Sequence, residues 1–275
     1  MSPSSPSSPS DAPAAAYILD VDGLPHATEL TRGPWDPNHQ HAGPPTAMAC
    51  RAFEAAGAAH GLTHLARLTA NLIRPVGIGP LHIEVCADYV GKSAGHFSAR
   101  MLVGGKEAVR LTALLQRESD VAVPDGTEGH PLPMPPLALA DALPVAMPFK
   151  RAHTLGYAHL VENRSRDGRI FNGPCAVWFR LVHPLVLGEV TSAYQRVLVA
   201  ADSGNGVSAV LDFSRYTFVN SDLTVNLLRR PVGQWVMLDA RTQLGGNGCG
   251  LAESALYDER GLIGRATQSL VVRER

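Results

Sequence analysis

The residues of this chain best suited to chemistry are Asp222, Thr242 and Gln268, a carboxylate, a hydroxyl and a carboxamide in its last quarter. Asp222 opens one candidate strand, Thr242 closes the next, and Gln268 lies early in the last. In an antiparallel meander, strand starts and ends alternate along one edge, so the three can converge. Together they can hold a water: the carboxylate takes its proton while the hydroxyl and the amide add hydrogen bonds. The competing reading is structural, because an Asp at a strand start commonly caps a turn and a buried Thr or Gln commonly satisfies backbone groups.

The stretch from Asp222 to Gln268 is also half of an internal repeat. Leu223-Thr224-Val225-Asn226-Leu227-Leu228-Arg229 echoes Leu68-Thr69-Ala70-Asn71-Leu72-Ile73-Arg74, and both copies run into Pro-Val-Gly. Arg265-Ala266-Thr267-Gln268 falls on Arg110-Leu111-Thr112-Ala113 at the same offset. Asp222 and Gln268 therefore fall on Arg67 and Ala113, so the polar pair exists only in the second copy.

The elements that must position these residues follow from pattern. Residues 1–16 are a Ser/Pro/Ala-rich tail with neither a basic nor an apolar stretch, which reads as disordered and not as a signal peptide. Residues 17–117 form the first unit. It holds short strands at Tyr17–Asp22 and His26–Thr31, a Gly/Pro/Asn-rich loop, and an Ala-rich helix from Thr46 to Ala56. Alternating strands then run from Leu65 to Gln116, with a hairpin turn at Gly104-Gly105. Residues 118–149 are Pro-rich and aperiodic, as a linker on the surface would be.

Residues 150–275 repeat the order. Strands are predicted at Leu160–Arg164, Cys175–Leu181 and Ala193–Val199, a short helix at Val207–Leu211, and β-structure at Tyr216–Asn220. The final meander comprises Leu223–Arg229, Trp235–Thr242, Leu251–Tyr257 and Arg265–Val272. The Gly245–Gly250 run lacks the Lys-Ser/Thr of a P-loop and reads as a bulged connection between strands.

Composition narrows the partners. The 275 residues carry a formal net charge of −1, with Lys and Arg scattered, so there is no basic footprint for nucleic acid or an anionic membrane surface. No segment reaches the run of about 18 apolar residues that a membrane-spanning helix needs. The four cysteines are far apart and show no metal-ligand spacing, which fits a reducing, cytoplasmic setting. A small molecule or a second copy of the chain is the expected partner.

Several pieces, in order along the chain, resemble one family. They are Arg32-Gly33-Pro34-Trp35, His41-Ala42-Gly43-Pro44-Pro45, Ile73-Arg74-Pro75-Val76 and Gly91-Lys92-Ser93 in the first unit. In the second they are Ala201-Asp202-Ser203-Gly204-Asn205-Gly206, Asn220-Ser221-Asp222-Leu223-Thr224-Val225, Gly233-Gln234-Trp235 and Thr267-Gln268-Ser269-Leu270. With these the chain resembles the acyl-CoA thioesterase II-like double-hotdog proteins, in their thioesterase-like branch. The resemblance implies an α+β double hotdog, two antiparallel sheets each wrapped around a central helix and joined edge to edge; that join covers one edge of each sheet, and self-association covering the rest makes a homo-oligomer the expectation. It implies hydrolysis of acyl-CoA to free acid and CoA, with no metal and no cofactor, by a water held on an Asp, a Thr or Ser, and a Gln. By position these correspond to Asp222, Thr242 and Gln268. Asn226 stands where the family often carries His, and Arg230 precedes Pro231 in place of a Pro.

Two other readings share the pattern. Hotdog enoyl-CoA hydratases use an Asp and a His before the central helix, and Asp36-x-Asn38-x-x-His41 has that spacing without the usual Pro after the Asn. The structural alternative there is an Asx-turn with a His bound to backbone. A non-catalytic acyl or acyl-CoA binder is the second. Ser203 and Cys249 lack a base partner in sequence, and the three Trp residues read as packing.

Overall fold

The computed structural model describes residues 12–127, 129–146 and 154–275. Residues 1–11 of the expected tail, and the junction of linker and second unit at 147–153, lie outside the described residues. The first half contains β1 (Tyr17–Leu19), β2 (Pro25–Ala27), α1 (Gly43–Ala58), β3 (His64–Leu72), β4 (His82–Val90), β5 (Ala94–Val103) and β6 (Lys106–Gln116). After β7 (Leu143–Pro144) come α2 (Tyr157–Leu160), β8 (Val161–Ser165), β9 (Cys175–Leu181), α3 (Ala193–Ala201) and α4 (Gly204–Val207). The chain ends with β10 (Tyr216–Asn220), β11 (Asp222–Leu227), β12 (Val236–Leu244), β13 (Cys249–Asp258) and β14 (Gly261–Glu274).

Apart from the β1–β2 pair, the strands form one antiparallel sheet in the order β4-β5-β6-β3-β11-β14-β13-β12-β9-β8-β7, with β10 also on β14. The two copies of the repeat meet at its centre, where β3 pairs with β11. Thr69 and Thr224, 155 residues apart, face each other with their hydroxyls 3.1 Å apart. Leu68 opposes Val225 and Ala70 opposes Leu223, so the pairing is symmetric about the equivalent pair Thr69–Thr224, as across a local two-fold axis. The echo in sequence is thus the seam of the sheet.

Alternation sets the faces. Leu223, Val225 and Leu227 of β11 are buried together with Leu68 and Ala70 of β3, on the side that carries the helices. Burying each such aliphatic side chain contributes about 1.5–3 kcal/mol. Helix α1 lies against β3 to β6, while α3 lies against β9, β11 and β12, and the two helices pack on each other. Helix α1 starts three residues before the expected Thr46, because Pro44 and Pro45 occupy its first turn, where a missing N–H costs no helical bond. Gly43 is required there for space: a Cβ would sit 2.5 Å from the Val199 carbonyl oxygen of α3.

Four expectations are corrected. Ala193–Val199 is helical, not a strand. Ser192 caps α3 through Gln195 N–H at 3.1 Å, and Gln195 Oε1 returns the bond to Ser192 N–H at 3.1 Å. The following short helix is Gly204–Val207 and not Val207–Leu211. Ala15 and Ala16 are fully buried, with Ala16 N–H on the Pro184 carbonyl, so the fixed chain begins before Tyr17. The end of the expected linker also packs: Leu137 and Ala142 are buried with Trp178, Trp235 and Met237, and Trp178 Nε1 donates to the Leu137 carbonyl at 3.0 Å. No helix among the described residues is long and apolar enough to cross a membrane.

Candidate active site

Asp202 is the residue on which α3 ends, and from it the chain turns through Ser203 into α4. Its side chain is 4 % exposed. Oδ1 accepts hydrogen bonds from Asn220 Nδ2 at 2.8 Å and Gln268 Nε2 at 3.3 Å, and Oδ2 lies 2.9 Å from His41 Nδ1. A carboxylate this buried needs such donors, because an unpaired charge removed from water costs several kcal/mol. Gln268, equally buried, also donates Nε2–H to the Asp202 carbonyl at 3.0 Å and accepts the Asn205 N–H on Oε1 at 3.0 Å. Those three bonds fix which end of the carboxamide faces Asp202. The loop approaches the sheet this closely because residue 204 is Gly: a Cβ there would lie 3.0 Å from Gln268 Oε1 and 2.9 Å from Ser254 Oγ.

Strand register places Thr242 in the same row. Gln268 of β14 and Thr242 of β12 both pair with Ala252 of β13, one from each side. They therefore stand two strand spacings apart, about 10 Å, over a small side chain. Thr242 Oγ1 is 2.8 Å from Ser208 Oγ, whose own proton goes to the Gly204 carbonyl at 2.7 Å. With that proton committed, the Thr242 hydroxyl donates to Ser208 and keeps its lone pairs for a group on the other side.

His41 reaches this cluster from the first half. The loop that carries it is pinned by the His41 N–H on the Thr31 carbonyl at 2.7 Å and by the Tyr157 N–H on the Arg32 carbonyl at 2.9 Å. The imidazole stacks on the Tyr157 ring, with centroids 3.8 Å apart and planes 5° from parallel. Tyr157 OH donates to the Val199 carbonyl at 2.8 Å and lies 2.9 Å from Ser203 Oγ. Burial pushes the Tyr157 phenol well above its ordinary range, so the ring beneath the imidazole is neutral.

Asp222 is not part of this group. Because Leu223, Val225 and Leu227 face inward, Asp222 projects from the opposite face of the sheet, where its Oδ1 accepts the Ser269 N–H at 2.5 Å. The carboxylate beside Gln268 is Asp202, which lies in the Ala201–Gly206 segment, one of the pieces that carry the family resemblance. Asp36 closes an Asx-turn on Asn38 N–H at 2.8 Å, while His41 turns away to Asp202. Cys249 is exposed at the start of β13, in line with the Gly-rich run being a strand connection. No cluster of three or more His, Cys, Asp or Glu that could hold a metal occurs among the described residues.

An open groove of about 350 Å³ lies further along the same strands, lined by Leu211, Tyr216, Leu244, Val272, Arg273 and Glu274 among others and by no residue of the row. Leu244 follows Thr242 by two residues on the same face of β12, so the groove lies beyond the Thr242 end of the row. On β10, Phe218 separates Tyr216 from Asn220, and its ring packs with Phe213 at 4.8 Å and edge-on with Trp35 at 5.3 Å. Trp35 comes from the same loop as His41, so one segment of the first half supplies both an aromatic wall and an ionisable ring.

Two family models match the sequence: the acyl-CoA thioesterase N-terminal domain over residues 31–116 and the acyl-CoA thioesterase C-terminal domain over residues 136–272. No curated protein matches significantly. Among solved structures, a candidate thioesterase II of Thermobifida fusca superposes with a TM-score of 0.71 at 16 % identity, covering 94 % of this chain and 96 % of its own. A candidate thioesterase of Novosphingobium aromaticivorans gives 0.67 at 17 %, covering 93 % and 98 %. A protein of unknown function with a hot dog fold from Alicyclobacillus acidocaldarius gives 0.66 at 15 %, covering 91 % and 92 %. At these identities the structures speak for a shared hotdog-type fold. The two domain matches, in order along the chain, place it in the acyl-CoA thioesterase family.

Proposed function

We propose that the protein hydrolyses acyl-CoA thioesters at the Asp202–Gln268–Thr242 row of its second half. The first half serves as scaffold and supplies the loop that closes the site. Its architecture reads as a double hotdog, with α1 and α3 as the two central helices and β3–β11 as the join. The observation that carries the reading is a buried carboxylate held by Gln268, in register with a Thr whose lone pairs are free. A water placed over the row meets the negative charge that favours loss of its proton. Its oxygen attacks the thioester carbonyl, the C–S bond breaks, and the proton ends on the sulfur, giving free acid and CoA.

The expected result with acyl-CoAs of graded chain length is thiol release, followed with a thiol-trapping dye. Folded protein that binds acyl-CoA yet turns over none of the panel would mark it as a binder. Strand β4 ends the sheet with a nine-residue edge that has no outer partner among the described residues. Open edges of this length are usually covered, so self-association is expected. Sedimentation velocity measures it, and a monomer at micromolar concentration would count against it.

A further inference from the structure

We propose that His41 takes the proton from the attacking water, with Asp202 as the carboxylate that orients it. This rests on the hydrolase reading above and names the base within it. The polar atoms around Asp202 are already engaged. Each Asp202 oxygen accepts from a side chain, both Gln268 Nε2 protons are directed at Asp202, and Gln268 Oε1 holds the Asn205 N–H. His41 Nε2 has no hydrogen-bond partner among the described residues, and the side chain is 13 % exposed. It is the unengaged basic atom of the cluster.

The tautomer follows from the contacts. Nδ1 lies 2.9 Å from a carboxylate oxygen and 3.2 Å from the Gly43 N–H, and a single ring nitrogen cannot serve both. A bare lone pair at 2.9 Å from a carboxylate oxygen would be repelled, so the proton sits on Nδ1 and is donated to Asp202. That leaves Nε2 with its lone pair, the arrangement in which a carboxylate holds an imidazole as a base. Stacking on Tyr157 sets the ring plane, and the Tyr157 hydroxyl is itself held on Val199 and Ser203. The titratable groups facing the ring are Asp202, from the end of α3, and Tyr157, from α2.

In the step, Nε2 accepts a proton from water as the water oxygen bonds to the thioester carbon and the carbonyl pair moves to oxygen. When the tetrahedral adduct collapses, the C–S bond breaks and the imidazolium returns its proton to sulfur. Asp202 stays ionised throughout. Water is the only co-reactant, and nothing is oxidised or reduced.

Two variants of the full-length protein separate a base from a prop. In His41→Asn, the Asn Nδ2 replaces the Nδ1 donor to Asp202 but offers no base. In His41→Ala, the ring leaves a slot against Tyr157 that imidazole can enter. With native circular dichroism, both should lose about 100-fold or more in kcat with little change in KM, and the acid limb of the kcat/KM profile should disappear. Added imidazole should restore turnover to His41→Ala in proportion to its concentration. If His41→Asn keeps kcat within about threefold of wild type with an unchanged pH profile, His41 only positions Asp202 and the proposal falls while the hydrolase reading stands. Wild-type protein that hydrolyses no acyl thioester would overturn both.

Discussion

Asp202→Asn is expected to lower kcat for acyl-CoA hydrolysis by about 10²–10⁴-fold while the protein stays folded. The substitution is nearly isosteric, and Asn Oδ1 can still accept from Asn220 and Gln268. Its effect is on charge and on His41. An amide carries no negative charge to favour proton removal from water. Depending on its orientation, it also offers His41 Nδ1 either an N–H that forces the other tautomer or a neutral oxygen that binds the Nδ1 proton less strongly. KM should change little, because neither oxygen of Asp202 is free to anchor a substrate. Asp222→Asn is the matched control. It keeps an acceptor for the Ser269 N–H on the far face of the sheet, so its kcat should stay close to wild type. Steady-state kinetics of the two variants side by side decide which carboxylate belongs to the site. Equal activity of Asp202→Asn and wild type would remove Asp202 from the chemistry.

How far the site was legible follows from these two aspartates. The strands of the last meander can be read from alternation, and so can the face of Asp222, since Leu223, Val225 and Leu227 bury together. A residue one place before inward-facing Leu223 faces away from Gln268, which is buried with Ala266 and Leu270. Thr242 and Gln268 are legible for the same reason, as inward positions of strands on either side of β13. The repeat is legible because its copies pair with each other, so Thr69 and Thr224 experience one environment twice. Asp202 is harder to read. Its role depends on α3, and Ala193–Val199 is a short run, apolar but for Gln195 and Arg196, whose period does not separate helix from strand. The Ser192-x-x-Gln195 capping box is the local signal that settles it. His41 is out of reach of any local rule: what brings it to Asp202 is the packing of α1 on α3 through Gly43.

Asp258→Ala is expected to cost about 3 kcal/mol of stability, the lower end for breaking a buried ion pair, because Arg229 remains a quarter exposed and can recover some hydration. Asp258 is fully buried at the β13–β14 turn. Oδ2 accepts Arg229 Nη1 at 2.6 Å and the Val232 N–H at 2.8 Å, and Oδ1 accepts Arg229 Nη2 at 2.7 Å and the Arg260 N–H at 2.8 Å. Arg229 in turn donates to the carbonyls of Gly261 and Leu262, so the pair ties the chain beyond β11 to the last hairpin. Removing the carboxylate strips four donors of their acceptor. For a chain of this size the loss corresponds to a fall in Tm of about 6–12 °C. Burial alone would raise the Asp258 carboxyl, but the Arg229 guanidinium and the Val232 and Arg260 N–H groups together hold it below the ordinary aspartate range. A depressed folded-state pKa gives stability that is complete above the unfolded value, about 3.9, and is lost as pH falls through the folded value. Urea midpoints of wild type and Asp258→Ala should therefore differ most near neutrality and converge below about pH 4. A gap that persisted undiminished into strong acid would mean that packing around Asp258, and not its charge, secures the hairpin.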